Sequence, residues 1–212
     1  MAAVTNSAEG KVILEGVSWE TYERLLSENQ EKGTRFAYDQ GALEIMVVSF
    51  GHDNLSRKIG LLVELIAAEM EIDIEVAGST TFKREDLFRG FEPDESFYIR
   101  EPERVRGKRE IDLRKDPPPD LVIEVDVTSP SLNKLPIFSA IGIAEVWRCS
   151  KGHLSLLKLS ESGYIEVSTS SLLPGVSSSV LNRFIERGRR LKRNVWIREI
   201  REWARKARPA ES

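Results

Sequence analysis

The segment Pro118-Pro119-Asp120-Leu121-Val122-Ile123-Glu124-Val125-Asp126-Val127 constrains the fold more than any other in the chain. Read with the period of two of an extended strand, it puts Leu121, Ile123, Val125 and Val127 on one face and Asp120, Val122, Glu124 and Asp126 on the other. The first face belongs in a core. The second carries three carboxylates on a segment whose β-branched residues suit the middle of a sheet. Two like charges about 4 Å apart, at an effective dielectric of about 20, repel by roughly 4 kcal/mol, so such a face needs cations beside it. A divalent metal is one solution; an edge strand with a wet face, on which alternating acids are simply solvated, is the other. The Pro117-Pro118-Pro119 lead-in and the Thr128-Ser129-Pro130 exit are turn signals that frame the most apolar strand candidate in the sequence, and they favour the buried placement.

The 212 residues suffice for one domain with a real core. A hydrophobic content of 41% and a charged content of 31% are those of a globular protein, and no apolar run approaches the roughly 20 residues needed to cross a bilayer. Residues 1–10 read as a loose tail without the basic and apolar regions of a secretion signal, which points to a cytoplasmic protein. Cys149 is the sole cysteine, so an internal disulfide is excluded, and its alternation with Trp147 marks it as a packing residue.

Around the central strand the pattern predicts a mixed layout. Residues 11–17 form a short strand candidate, and Ser18 is placed to cap a helix carrying Trp19, Tyr22, Leu25 and Leu26 and ended by Gly33. Strands at 35–39 and 42–48 flank Asp39-Gln40-Gly41, a hairpin turn in which glycine supplies a positive φ. A helix from about His52 to Met70 follows from the stripe of Leu55, Ile59, Leu62, Val63, Ile66 and Met70. His52 lies in phase with that stripe, where it serves either as a capping or packing residue or as an accessory to a site. Extended segments come at 74–76 and 80–83. The run Phe91-Glu92-Pro93-Asp94-Glu95-Ser96-Phe97-Tyr98-Ile99 reads as one strand, with Asp94, Ser96 and Tyr98 sharing a face.

Residues 100–116 are charged and lack an apolar period. They predict a long exposed connection, of a length that suits folding over a site or a partner. Beyond the central strand, Ser131 is placed to cap a helix with Leu132, Leu135, Phe138 and Ile141 in register, Pro136 in its first turns and Gly142 at its end. Residues 144–149, 153–159 and 164–169 predict a β-meander, and a single helical stripe runs from Val180 to Trp203. That last segment is strongly basic, with Arg187, Arg189, Arg190, Arg201 and Arg205 among its cations. It suits either tracking of nucleic-acid phosphates or a solvated face paired with the acidic remainder of the chain. The expected organisation is a tail at 1–10, a domain at 11–185 and a basic helical extension at 186–212.

The succession Leu43-Glu44-Ile45-Met46, His52 opening a helix, Glu92-Pro93-Asp94, Pro119-Asp120-Leu121-Val122-Ile123-Glu124-Val125 and Gly142-Ile143-Ala144-Glu145-Val146-Trp147 resembles the Uma-two family of restriction-endonuclease-like bacterial proteins. The likeness covers roughly residues 15–185, in order. It implies the PD-(D/E)XK nuclease fold, a mixed central sheet flanked by helices, to which the antiparallel meander and the basic C-terminal helix read above are additions, giving an α/β (α+β) class. By the family pattern, Asp94 and Glu124 are the two carboxylates of a catalytic metal site taking Mg²⁺ or Mn²⁺, and the substrate is DNA. Phosphodiester hydrolysis needs a metal to polarise the phosphoryl oxygen and a cation to meet the charge that develops. A two-fold homodimer is the arrangement expected of an enzyme that cuts both strands.

Spacing sorts the other acids. Side chains two apart on a strand start roughly 7 Å apart, so Asp126 can share an ion with Glu124, whereas Asp120 and Glu124 are separated by about 13 Å. Asp120 is therefore expected to fix the proline-rich lead-in or to contact a second site. The nuclease motif wants lysine two positions after the acid, and Asp126 stands there instead. Lys134, one turn into the predicted helix, is the candidate replacement, with Lys83 in reserve. Three readings follow: a metal-dependent endonuclease; a nuclease-fold binding or regulatory protein without turnover; and a structural domain whose acids are neutralised by basic side chains.

Overall fold

The computed structural model describes residues 10–29, 33–126 and 132–208. Its strands and helices run β1 (Gly10–Leu14), α1 (Trp19–Glu28), β2 (Thr34–Asp39), β3 (Ala42–Val47), α2 (Phe50–Glu69), β4 (Glu75–Val76), β5 (Phe82–Arg84), β6 (Arg89–Phe91), β7 (Glu95–Tyr98), β8 (Leu121–Asp126), α3 (Leu135–Ile141), β9 (Glu145–Ser150), β10 (His153–Ser160), β11 (Gly163–Val167), α4 (Ser178–Arg190) and α5 (Arg193–Ala207). A six-stranded sheet has the order β11-β10-β9-β8-β7-β4 and a five-stranded one the order β1-β3-β2-β6-β5. In the larger sheet β8 and β9 are parallel and the other pairs antiparallel, so the sheet is mixed and α3 lies on the β8 to β9 crossover.

The alternation along β8 decides how the layers stack. Leu121, Ile123 and Val125 are buried in one cluster with Ile59, Leu62, Val63 and Ile66 of α2 and with Leu181, Trp196 and Ile200 of α4 and α5. Val122 faces the other way, into a cluster with Phe138 of α3 and with Ala37, Phe82 and Phe91 of the five-stranded sheet. β8 is thus covered on both sides, which explains its apolar run. A third cluster, with Trp19, Tyr22, Phe36, Tyr38 and Leu43, fastens α1 to the outer face of the β2–β3 hairpin. The hairpin turn has Gln40 and Gly41 at φ 49° and 104°, both positive as a two-residue loop requires.

Several expectations are corrected by packing. The single strand expected at 91–99 is broken at Glu92-Pro93-Asp94. Glu92 belongs to the five-stranded side, where its carboxylate accepts the Phe36 N–H at 3.0 Å and the Thr81 hydroxyl at 2.6 Å, and the chain crosses at Pro93 to begin β7 in the larger sheet. α1 ends at Glu28, well before Gly33, because the Asn29 side chain and N–H both bond to the Leu25 carbonyl. Lys134 is the N-cap of α3 and not a residue one turn inside it, with Pro136 in the first turn; the expected cap, Ser131, lies outside the described residues, as do Val127 and Thr128-Ser129-Pro130. The single C-terminal helix is two: Leu191 is extended at ψ 153°, and α5 folds back so that Trp196 Nε1 donates to the Phe184 carbonyl at 2.7 Å. Trp196, Ile200 and Ala204 join the same core as α2.

The segment 100–116 does not drape over the carboxylates of β8. Val105 and Leu113 are buried in the second cluster, Arg106 bonds to Asp73 at 2.7 Å and Glu75 at 3.2 Å beside β4, and Lys108 pairs with Asp116. Many cations of the basic end are engaged: Arg201 and Arg205 with Glu69, Arg208 with Glu71, Arg187 with Glu199, and Arg189 and Arg190 with Glu186. Among the described residues no helix is long and apolar enough to cross a membrane.

Candidate active site

The crossing at Pro93 and the pairing of β7 with β8 bring two acids together. Glu95 pairs with Ile123, so the next antiparallel step sets Asp94 against Glu124. Asp94 Oδ2 accepts the Val125 N–H at 2.7 Å. His52, in the first turn of α2, reaches the same place: its Nε2 lies 2.8 Å from the Val125 carbonyl and 3.3 Å from Asp94 Oδ2. A carbonyl only accepts, so Nε2 carries the proton in this arrangement. Ser49 caps α2 and accepts the His52 N–H, which fixes the helix start that aims the imidazole.

Glu124 is held differently. Its Oε2 accepts from Lys134 Nζ at 2.7 Å, while its Oε1 is buried with no hydrogen-bond partner among the described residues. The same Lys134 Nζ lies 3.6 Å from Glu44 Oε1, and Glu44 Oε2 accepts the Leu132 N–H at 2.7 Å. Glu44, on β3, therefore reaches from the five-stranded sheet to the segment just before α3 and holds both its backbone and its lysine. Side-chain exposures of 2% for Glu44, 4% for Asp94, 8% for Glu124 and 11% for Lys134 make this a dry cluster in which three carboxylates meet one ammonium.

The electrostatics follow from that imbalance. Burial pushes the Asp94 and Glu124 carboxyls well above the ordinary carboxylate range; Lys134 pulls both back down without offsetting the burial, and Asp94 raises Glu124 further. For Lys134, burial works against the charge, but Glu124, Glu44 and Asp94 outweigh it and hold the ammonium. A buried carboxylate oxygen with no donor, in a cluster with excess negative charge, is suited to a cation. No cluster of three or more acid, histidine or cysteine side chains arranged to hold a metal occurs among the described residues; Asp94 and Glu124 are the candidate donors that the fold sets side by side. Two hard oxygen donors fit Mg²⁺ or Mn²⁺, which keep several waters when bound.

The remaining candidates have other partners, Asp126 beside the cluster and Asp120 and Lys83 away from it. Asp126, at the end of β8, receives Arg148 Nε at 2.9 Å on Oδ2 and Lys11 Nζ at 3.8 Å on Oδ1. Asp120 accepts the N–H groups of Ile99 at 2.8 Å and Arg100 at 2.9 Å, fixing the chain where it leaves β7 beside the proline lead-in. Lys83 is on β5 and donates to Glu23 at 2.7 Å, so of the two lysines considered it is Lys134 that reaches Glu124. Sequence reasoning missed Glu44 as part of the cluster. The available signal was an acid flanked by Leu43, Ile45 and Met46 on a hairpin strand, a position where a charge is expected to need a partner.

Comparison with known proteins bears on this arrangement. The profile of the Uma2 family, described as "Putative restriction endonuclease", matches residues 19–191. Among solved structures, a crystal structure described as a "putative nuclease belonging to DUF820" from Anabaena variabilis superposes with a TM-score of 0.54 at 13% identity, covering 80% of this chain and 99% of that one. At that identity the likeness speaks for the fold. No curated protein sequence matches. The mixed sheet flanked by helices is restriction-endonuclease-like, the matched region takes in Glu44, Asp94, Glu124 and Lys134 together, and the chain belongs to the Uma2 family.

Proposed function

We propose that the protein is a cytoplasmic, metal-dependent nuclease that hydrolyses DNA phosphodiester bonds at the Asp94–Glu124–Lys134 cluster. The observation that carries this reading is Glu124 Oε1, buried without a donor among the described residues and beside a second buried carboxylate, while Oε2 is held by a lysine. The family description and the description of the structural neighbour support it. Asp94 and Glu124 would hold Mg²⁺ or Mn²⁺, with Asp126 assisting at the mouth; bound there, the ion supplies Lewis-acid polarisation of the phosphoryl group. His52 and the Val125 N–H fix the Asp94 carboxylate. Lys134 orients the attacking water or meets the charge developing on the phosphate. Cutting both strands of a duplex would take two such centres, which a homodimer provides.

A second reading is a nuclease-fold binding protein without turnover. It is favoured by the position of Lys134 between two carboxylates, Glu124 and Glu44, which spends much of its charge before a phosphate arrives. One experiment separates the readings: calorimetric titration of Mg²⁺ and Mn²⁺ into wild type and Glu124→Ala, followed by DNA cleavage assays on the same samples. Metal binding and cutting that both disappear in Glu124→Ala support the nuclease. Binding without cutting supports the second reading, and no metal binding by wild type overturns both metal-based arguments.

A further inference from the structure

Directly beside Glu124 and Lys134 the protein has a cavity of about 290 Å³, and its chemistry is divided. Its lining combines two acids and two cations, Glu124, Asp126, Lys134 and Arg148, with apolar side chains that include Leu132 and Leu135. Phe138 and Val146 belong to the second core cluster, but Leu132 and Leu135 are only partly buried, and hydrolysis of a phosphodiester, which asks for cations, carboxylates and water at the phosphorus, gives them no role. They line the same cavity as Glu124 and Lys134, so a group attached to a phosphate held there would have apolar surface to meet.

The groups attached to a phosphodiester are nucleosides. Their sugars are polar, and their bases are flat rings with apolar faces and hydrogen-bonding edges. Asn133 stands at the cavity with its Oδ1 engaged by the Leu135 N–H at 3.2 Å, which leaves its amide NH₂ to address an acceptor on a base edge. Arg148 donates from Nε to Asp126, and its guanidinium carries two further nitrogens of the kind that meet a phosphate. A base stacked and paired in a duplex is tied to a second backbone and cannot enter a recess of this kind; a base must leave the stack to do so.

We infer that this cavity receives one unpaired nucleobase next to the phosphate at Glu124 and Lys134, so that the preferred substrate is single-stranded or locally unpaired DNA and not intact duplex. The inference rests on the nuclease reading for the identity of the phosphate site, but it makes a claim about binding that cleavage alone does not test. It also gives the apolar side chains around a charged centre a role in selecting substrate, with the base filling the space that water would otherwise occupy.

The test uses the full chain and one labelled oligonucleotide in three forms: single-stranded, fully paired, and paired with a short central bubble. Binding is followed by fluorescence anisotropy with Ca²⁺ and cleavage with Mg²⁺. The expected result is binding at least about tenfold tighter for the single strand and the bubble than for the duplex, in keeping with the weight of one stacked base. Leu135→Trp, which fills the recess, should reduce that preference to near parity while thermal melting reports that the variant is folded. Equal or tighter binding of the duplex by wild type overturns the inference without needing any variant, as does a folded Leu135→Trp that keeps the full preference. Selective binding of unpaired DNA without cleavage supports the cavity assignment and overturns turnover, whereas cleavage without selectivity leaves the nuclease and removes the base site.

Discussion

Lys134 Nζ lies 2.7 Å from Glu124 Oε2 and 3.6 Å from Glu44 Oε1, so one ammonium ties the end of the central strand to a hairpin of the other sheet. Lys134, the N-cap of α3, reaches Glu124 from ten residues further along the chain, whereas the residue two positions after Glu124 is Asp126. In the proposed mechanism the position of the charge in space is what counts, and the start of the crossover helix places this ammonium beside Glu124.

Replacing Lys134 by Met tests both catalysis and stability. Cleavage should be lost, and binding of Mg²⁺ or Mn²⁺ should persist, because the ammonium competes with a cation for the same negative charge. The metal-free variant should also be destabilised at neutral pH by about 3–5 kcal/mol, the usual cost of stripping a partner from buried charges. Urea denaturation with and without Mg²⁺ measures this. Unchanged cleavage would remove Lys134 from the mechanism.

Glu44 acts through its neighbours. Glu44→Gln keeps an acceptor for the Leu132 N–H but withdraws the second carboxylate from Lys134. The expected effect is a fall of about ten- to a hundredfold in kcat with little change in KM, the size typical of partners that orient a metal-site residue. A loss confined to KM would mean that Glu44 contributes to substrate binding and not to placing the lysine.

How far the sequence reveals this arrangement depends on range. The two faces of β8 are legible because strand alternation is local, whereas Asp94 is singled out by the family pattern alone, the local pattern having put it inside one continuous strand at 91–99. Glu44 meets Leu132 across 88 residues of chain, and nothing within a window around either residue announces that contact. The break between α4 and α5 is hidden for a different reason: the apolar stripe continues through both helices, and only the return of Trp196 onto the Phe184 carbonyl shows that the chain has turned. In the same way Val105 and Leu113 look like isolated apolar residues in a charged loop until the second cluster supplies their neighbours.

Gly90 sets a limit on how α1 can sit. A Cβ there would come within 2.3 Å of Tyr22 Oη and 3.0 Å of two ring carbons, and Tyr22 is fully buried with its hydroxyl unpartnered. Gly90→Ala should cost about 1–3 kcal/mol by overpacking. Tyr22→Phe removes the nearest atom together with a buried hydroxyl that has no partner. The double variant should therefore regain part of the loss, as a coupling measured in a urea double-mutant cycle. Strict additivity would show that α1 shifts freely.

The raised carboxyls give the metal-free protein a definite pH dependence. Burial lifts Asp94 and Glu124 above their unfolded values, so between the ordinary carboxylate range and neutrality the folded state holds more protons than the unfolded one. Stability from this pair is therefore present in mildly acid solution and falls as pH rises through the raised values, the reverse of a salt-bridged acid. In the absence of metal, melting should occur at a higher temperature at about pH 5.5 than at about pH 7.5 once the contribution of other groups is removed by comparison with an Asp94→Asn, Glu124→Gln variant. Saturating Mg²⁺ should narrow the difference for wild type by stabilising the ionised pair, and should leave the double variant unchanged. A wild type that tracks the variant at both pH values, with and without metal, would mean that the two carboxyls titrate as ordinary acids and that the dry cluster is solvated in solution.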